Sequence, residues 1–256
     1  MREPLVSVIT PTYNSEFFIS ETIDSVRSQT YTNWELILVD DASSDTTVEI
    51  LKKYAASDTR ITYHVLKTNS GAAIARNTAI EKASGSFIAF LDADDLWKPE
   101  KLTKQLSFMQ TKDIAVSFSS YELMDEKGNS LSKMVKALPK VSYSKMLKSN
   151  YVGNLTGMYN AEKLGKVYMP NIRKRQDWAL WLKLIKKAGF AYSLEEPLAT
   201  YRVRDDSISS NKLNLLKYNY AIYRKALKFG AFKSSLYLIR FLIEHFFIKP
   251  QQTTQL

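Results

Sequence analysis

Four short, largely apolar runs, each followed by a segment whose apolar residues recur at helical spacing, fill the first 110 residues of the chain. Leu5–Thr10 stops at Pro11, and Phe18, Ile19, Ile23 and Val26 then repeat at helical intervals. Leu36–Val39 precedes Val48, Ile50, Leu51 and Tyr54; Ile61–Leu66 precedes a helix over Ala72–Ala83. Phe87–Leu91 precedes a helix expected to open at Pro99, since proline suits the first helical turn. Apolar runs this short suit strands covered on both faces, and the helices between them return the chain for parallel pairing. The expected fold is therefore α/β, a doubly wound, mostly parallel sheet flanked by helices.

Past residue 110 the rhythm loosens. Ile114–Phe118 reads as a strand and Asp125–Asn129 as a turn, and a looser stretch then runs to about Met169. Asp177–Ala188 is an amphipathic helix closed by Gly189. Two short strands are expected on either side of Glu195-Glu196-Pro197, and from Leu213 two helices broken near Phe229-Gly230. The division that follows is one domain over 1–208, with halves 1–110 and 111–208, and a helical extension over 209–256.

The chain lacks cysteine, which excludes disulfides and thiolate zinc, and its two isolated histidines, His64 and His245, are not expected to form a histidine-rich metal site. A metal here must rest mainly on carboxylates, which points to Mg²⁺ or Mn²⁺. A net charge of +10 favours an anionic partner: a nucleotide, a nucleic acid or an anionic membrane surface. Met1–Pro4 leads straight into the first strand without an apolar leader, and no stretch reaches the ~20 apolar residues of a membrane span. The expectation is a cytoplasmic protein, or one held peripherally on the inner face of the membrane.

Ligands of open parallel sheets sit at the carboxyl ends of the strands. Those ends carry Pro11-Thr12-Tyr13-Asn14, Asp40-Asp41 and Asp92-Ala93-Asp94-Asp95, which places Tyr13, Asp41 and the acidic cluster in one crevice. Three carboxylates within four residues repel unless something compensates. Asp92 and Asp94, two apart in a segment read as extended, can face one cation; helix capping or a solvated turn is the competing explanation. Asp45 or a neighbouring serine fits a helix cap, and Thr46-x-x-Glu49 fits a capping box, which leaves Asp40 and Asp41 unexplained. Asn69–Asn77 opens the third helix with small residues whose N–H groups, with Arg76, suit a diphosphate, or form a plain turn with a surface ion pair.

Taken in order, Ser7–Asn14, Ser28-Gln29-Thr30-Tyr31, Glu35–Ser44, Gly71–Asn77 and Phe90–Asp95 resemble the family-2 glycosyltransferases of GT-A fold, the Rossmann-like architecture of nucleotide-diphospho-sugar transferases. The likeness runs from residue 5 to about 205 and includes the bacterial surface-polysaccharide and teichuronic-acid type. It implies that Pro11 and Tyr13 line the base pocket, with Thr12 among the nucleotide contacts and the Tyr13 ring against uracil or another base. Asp41 would accept from the base, Arg76 would lie near the nucleotide, and Asp92, Asp94 and Asp95 would match the metal and ribose site, holding Mn²⁺ or Mg²⁺. Arg175–Leu182 resembles the segment that carries the catalytic base, with Asp177 at the base position and Gln176 where an acid is usual. An N-cap role competes for Asp177; Trp178 and Trp181 could line an acceptor groove or sit in the core. Tyr201–Ser209 resembles the closing motif, with Arg204 where histidine is frequent, so Arg204 or Arg202 is expected on the leaving diphosphate, against a surface arginine paired with Asp205 or Asp206.

The implied reaction is inverting transfer from a nucleotide sugar, with UDP the expected carrier, to a glycan or lipid-linked glycan. Two further possibilities stand beside it. A nucleotidyltransferase would need an early glycine-rich phosphate loop where Pro11–Asn14 stands, and a catalytically silent nucleotide- or glycan-binding protein would fit Gln176 and Arg204 but not intact Asp92, Asp94 and Asp177. Nucleic acid is not expected, because the acids line the crevice and the positive charge lies largely elsewhere. Leu236–Ile248 is apolar but too short and charged to span; with its basic neighbours it can lie on an anionic membrane, or pack on the domain or a second subunit.

Overall fold

The computed structural model describes residues 3–204 and 212–256, the side chains of 212–215 excepted. Its first half alternates strictly: β1 (Val6–Thr12), α1 (Ile19–Arg27), β2 (Trp34–Asp40), α2 (Thr47–Ser57), β3 (Ile61–Val65), α3 (Ala72–Lys82) and β4 (Phe87–Phe90). Then come β5 (Leu96–Trp97), α4 (Lys101–Thr111), β6 (Val116–Met124), β7 (Ser130–Val135), β8 (Lys140–Ser142), α5 (Tyr143–Met146), β9 (Met158–Asn160) and α6 (Ala161–Leu164). The chain continues with α7 (Gln176–Ala188), β10 (Phe190–Arg202), α8 (Lys212–Ala221), α9 (Ala231–Ile243) and β11 (Thr253–Gln255).

One sheet runs in the order β11-β7-β6-β9-β4-β1-β2-β3, with β10 on β6 and with β5 and β8 on β10. The pairs β1–β2, β1–β4 and β2–β3 are parallel, as buried apolar runs joined by helices require. Antiparallel β9 then bridges β4 to β6, so the sheet is continuous across residue 110. Two apolar layers cover its faces. Ile9, Ile37, Phe90 and Trp181 belong to one, and Val8, Leu36, Leu38 and Trp97 to the other, as alternation along a strand dictates.

Several expectations need correction. The fourth helix begins at Lys101, and Pro99 sits ahead of its cap in a turn whose carbonyl accepts from Thr30 N. The capping box does not form: Thr46 Oγ1 donates to Glu16, while Asp45 Oδ1 accepts Thr47 N at 3.0 Å and satisfies the helix start. The stretch up to Met169 holds β7, β8, α5, β9 and α6. Glu195-Glu196-Pro197 does not separate two strands; it is an irregularity within the 13-residue β10, where the register against β6 shifts. The tail does break near Gly230, but it ends in an unforeseen strand, β11, antiparallel to β7. The domain boundary at 208/209, together with Asp205 and Asp206, lies outside the described residues.

The tail is fastened through its single acid. Glu244 is buried and accepts from Lys145 Nζ and Tyr151 Oη. Burial pushes its carboxyl up, but these hydrogen bonds outweigh it and hold the group below its ordinary value. Its contribution is therefore full above the unfolded carboxylate range and is lost as pH falls through the lowered value. Glu244→Gln is expected to cost about 2 kcal/mol at neutral pH, and the gap should narrow only once the pH falls below the ordinary carboxylate range, which thermal melting of both proteins across an acid series starting from pH 7 measures.

Candidate active site

The carboxyl ends of β1, β2 and β4 meet as the alternation requires, and each acid there has defined work. Asp40 is fully buried; it accepts from Thr12 Oγ1 at 3.0 Å and from Ser43 N at 2.8 Å, fixing a turn in which Ala42 adopts φ 61°. Asp41 takes the amides of Ser70 and Gly71, each at 2.7 Å, one on each oxygen. Gly71, at φ 92°, is the residue before α3, so Asp41 sets where that helix starts and how it enters the crevice. Both acids thus have a structural reason that spacing alone did not supply. Beside them Pro11 is half-buried, Thr12 buried and the Tyr13 ring 49% exposed, which leaves an aromatic face open at the rim.

The acidic cluster is a turn, not an extended segment: Asp95 N donates to Asp92 O at 3.1 Å. Its three carboxylates consequently diverge. Asp92 Oδ1 accepts from Arg76 Nη2 at 2.5 Å and from Asn154 Nδ2 at 3.0 Å. Asp94 Oδ2 lies 3.3 Å from Arg204 Nη1, whose guanidinium also covers the Phe18 ring at 4.8 Å. Asp95 turns inward, 1% exposed, and accepts Arg202 N at 2.9 Å. Burial, then the charge of Asp92, raises the Asp94 carboxyl; burial, then Asp94 and Asp92, raises Asp95 well above the carboxylate range. Asp92 and Asp94 remain at the surface of the crevice, and Asp95 does not.

The two closing arginines part company. Arg202 is buried, and its guanidinium is taken up by Asp94 O, Glu126 O and Glu21 Oε2 at 2.9, 2.9 and 2.6 Å. It therefore locks the acidic turn to β10 and has no free edge for a phosphate. Arg76 keeps a buried Nε without a hydrogen-bond acceptor, and Arg204 Nε faces only Glu126 Oε1 at 3.7 Å, beyond hydrogen-bond reach. These two cations flank the acids, and guanidinium N–H groups left without a hydrogen-bond acceptor mark a place where a ligand can complete the bonding.

Asp177 is the second residue of α7, not its cap; the cap position is Arg175, at φ 65°. Its Oδ2 accepts from Asn150 Nδ2 at 3.0 Å. Trp178 and Trp181 are fully buried: Trp178 Nε1 donates to Met146 O, and Trp181 meets Phe90 edge-on at 5.6 Å. They are the core face of the helix that carries Asp177 and line no groove.

Sequence reasoning offered no signal for Asn150, Asn154 or Lys249, which stand in stretches without periodicity. Yet the loop containing the first two joins the parts of the site, since Asn150 holds Asp177 and Asn154 holds Asp92. Lys249 of the tail donates to Asn150 O at 2.7 Å; burial, then Arg175, brings its ammonium down to about 8. A separate cleft of about 790 Å³ lies at the opposite, amino ends of the strands, lined by Pro4, Asn33, Ser86 and Gln110 among others. Its volume does not outweigh the position rule for parallel sheets or the concentration of charged groups at the carboxyl ends.

The model of Glycosyl transferase family 2 matches residues 7–165, more than half of the chain, Asp40, Asp41 and Asp92–Asp95 included. The chain belongs to glycosyl transferase family 2. It is 48% identical over 223 residues, 87% of this chain and 88% of the other, to TuaG of Bacillus subtilis (strain 168), named as a teichuronic acid biosynthesis glycosyltransferase. It is 41% identical over 218 residues, 85% of this chain and 84% of the other, to the Escherichia coli UDP-Glc:alpha-D-GlcNAc-diphosphoundecaprenol beta-1,3-glucosyltransferase WfgD. Among solved structures, S. aureus TarS 1–349 in complex with UDP superposes with a TM-score of 0.70 at 25% identity, over 96% of this chain and 73% of that one. The Pyrobaculum calidifontis mannosyltransferase PcManGT, solved with GDP-Man and Mn²⁺, reaches 0.72 at 21% identity, over 98% of this chain and 72% of that one, a likeness of fold. The fold is GT-A, as the sequence motifs imply, with helices following at the carboxyl-terminal end.

Proposed function

We propose that this glycosyltransferase moves a sugar from a UDP-sugar to a hydroxyl of a lipid-linked glycan, with inversion, using Mn²⁺ or Mg²⁺, at the inner face of the membrane. The observation that carries the reading is one constellation: Asp92 and Asp94 flanked by Arg76 and Arg204, joined through the Asn150–Asn154 loop to Asp177. A nucleotidyltransferase or a silent binding protein has no use for a carboxylate held at that position. The names of WfgD and of the UDP complex of TarS support the donor, and the diphosphoundecaprenol in the former supports the acceptor.

Among the described residues no three acids or histidines converge as a metal cage, so a divalent cation here would rest on two carboxylates of the acidic turn, with the donor supplying the remainder. Asp92 and Asp94 offer oxygen donors only, the choice of a hard cation, and burial with mutual repulsion raises the Asp94 carboxyl until positive charge compensates. Asp92 and Asp94 would hold the metal, with the diphosphate and water completing its shell; when bound it supplies charge neutralisation to the leaving diphosphate. Arg76 and Arg204 then have two tasks, holding the acids apart before the donor binds and turning toward phosphate oxygens afterwards. Tyr13 stacks on the base. Asp177 accepts the proton of the acceptor hydroxyl as its oxygen attacks the anomeric carbon opposite the departing UDP, and Asn150 keeps that carboxylate aimed.

Calorimetric titration with UDP tests the metal part without turnover. Binding in Mn²⁺ should weaken at least about tenfold with chelator, and as much in Asp94→Ala. Equal affinity in all three would overturn the assignment of the metal to the acidic turn.

A further inference from the structure

The carboxyl-terminal 45 residues, 212–256, carry eight lysine or arginine side chains against one acid, a net +7 of the chain's +10. The acid, Glu244, points inward and is neutralised by Lys145. Lys249 turns inward to Asn150 O, and the other described basic side chains of the segment are left to the outer surface. Arg224, Lys225, Lys228, Lys233 and Arg240 are exposed, and among the described residues none of them pairs with a carboxylate.

The same segment has two apolar faces, of which the protein uses one. Ser234 and Phe241 of α9 are buried, Phe241 lies 5.8 Å from Trp178, and Tyr237 stacks on Tyr223 at 5.6 Å. That face fixes the helix to the catalytic core. Phe232, Leu236, Ile239, Ile243, Phe246 and Phe247 recur at helical spacing on the other face, and all are exposed, Phe232 at 86% and Phe247 at 71%. At helical rise the stripe is about 20 Å long. Lys233 and Arg240 border it. Among the described residues no helix is long and apolar enough to cross a bilayer, so a stripe of this kind can lie along one but not through it.

We infer that the outward face of α9 and the turn after it is a docking surface for an anionic phospholipid bilayer, with the apolar stripe entering the acyl boundary and the basic residues meeting lipid phosphates. Unpaired positive charge favours lipid over a second copy of the chain, whose identical face would bring like charges together. The geometry also gives the surface a direction. The turn Glu244–Ile248 runs straight into Lys249, whose ammonium touches Asn150 beside Asp177, so a docked tail would hold the acceptor side of the crevice near the bilayer. That last consequence rests on the transfer reading; the docking surface itself does not.

The test is flotation of the full chain with phosphatidylglycerol-containing vesicles and with pure phosphatidylcholine vesicles, needing neither donor nor turnover. The protein should float with the anionic vesicles only and be released by high salt. Ile239→Glu/Phe247→Glu and Lys233→Glu/Arg240→Glu should each lower vesicle binding at least about tenfold while melting as the parent does. Absence of flotation, or flotation that the substitutions leave unchanged, would overturn the inference. So would sedimentation showing that the first pair converts a dimer to a monomer without any vesicle binding, which would make the stripe an interface between copies. Donor turnover measured on the same variants in detergent keeps the two readings apart: loss of flotation with turnover retained bears on the surface alone.

Discussion

Asp177→Asn is expected to slow sugar transfer by about 10²–10⁴-fold while leaving UDP affinity and melting temperature close to the parent's, because a positioned general base contributes on that scale. The substitution keeps shape, and an asparagine oxygen can still accept from Asn150 Nδ2, so the contact that aims the side chain survives. What disappears is the capacity to take a proton. The competing explanation, a carboxylate favoured in the first turn of α7, amounts to about 0.3–1 kcal/mol and concerns stability only. Steady-state transfer together with a thermal melt separates the two. A small drop in melting temperature with transfer unimpaired would remove Asp177 from the chemistry.

Gly157→Ala is expected to disable the protein from a position that touches no substrate. A Cβ built there would lie 2.1 Å from Trp181 Cζ2 and 2.3 Å from Cη2. Trp181 is fully buried against Phe90, so the ring has nowhere to move. The cost should exceed the usual ~1–3 kcal/mol of overpacking, since the clash is with a rigid indole rather than a flexible chain end. Gly157 also closes the loop that carries Asn150 and Asn154, so any shift that relieves the clash must move the groups holding Asp177 and Asp92. Chemical denaturation and transfer assays on soluble variant should both fall. A variant as stable and active as the parent would mean that Trp181 is less firmly held than its burial implies.

The parts of the fold legible from sequence are those whose burial is symmetrical. β1, β2 and β4 are covered on both faces, so they appear as unbroken apolar runs, and the helices between them show their period. β7 was illegible because most of its residues face solvent; Ser130, Leu131, Ser132 and Lys133 carry no alternation. Glu195-Glu196-Pro197 has the composition of a turn and so divides β10 in the sequence, whereas neighbouring β6 continues and absorbs the irregularity as a register shift. β11 is three residues held by an edge pairing with β7, and nothing in Thr253-Thr254-Gln255 announces it.

In the site, sequence located the acids but not their directions. The order of strand ends brings Asp41 and Asp92–Asp95 together, which topology alone ensures. Whether a carboxylate faces the crevice or the protein depends on partners distant in sequence. Asp95 turns inward because Arg202, 107 positions away, offers its amide, and Asp41 is engaged by the amides of Ser70 and Gly71. Trp178 and Trp181, at helical spacing on α7, are core for the ordinary reason that a helix beside a sheet buries its apolar face. Asn150 and Asn154 carry no sequence signal because their role lies in one loop whose two ends touch different carboxylates.

Release of nucleoside diphosphate from a panel of nucleotide sugars, in Mn²⁺ or Mg²⁺ and with a lipid-linked glycan acceptor, decides whether the crevice is a metal-dependent transfer site. The expected result is turnover of a UDP-sugar that stops with chelator and in Asp94→Ala, and is reduced to the background rate in Asp177→Asn. No release from any donor, with no metal-dependent binding of UDP, would contradict it and leave a family-2 fold whose crevice serves another purpose.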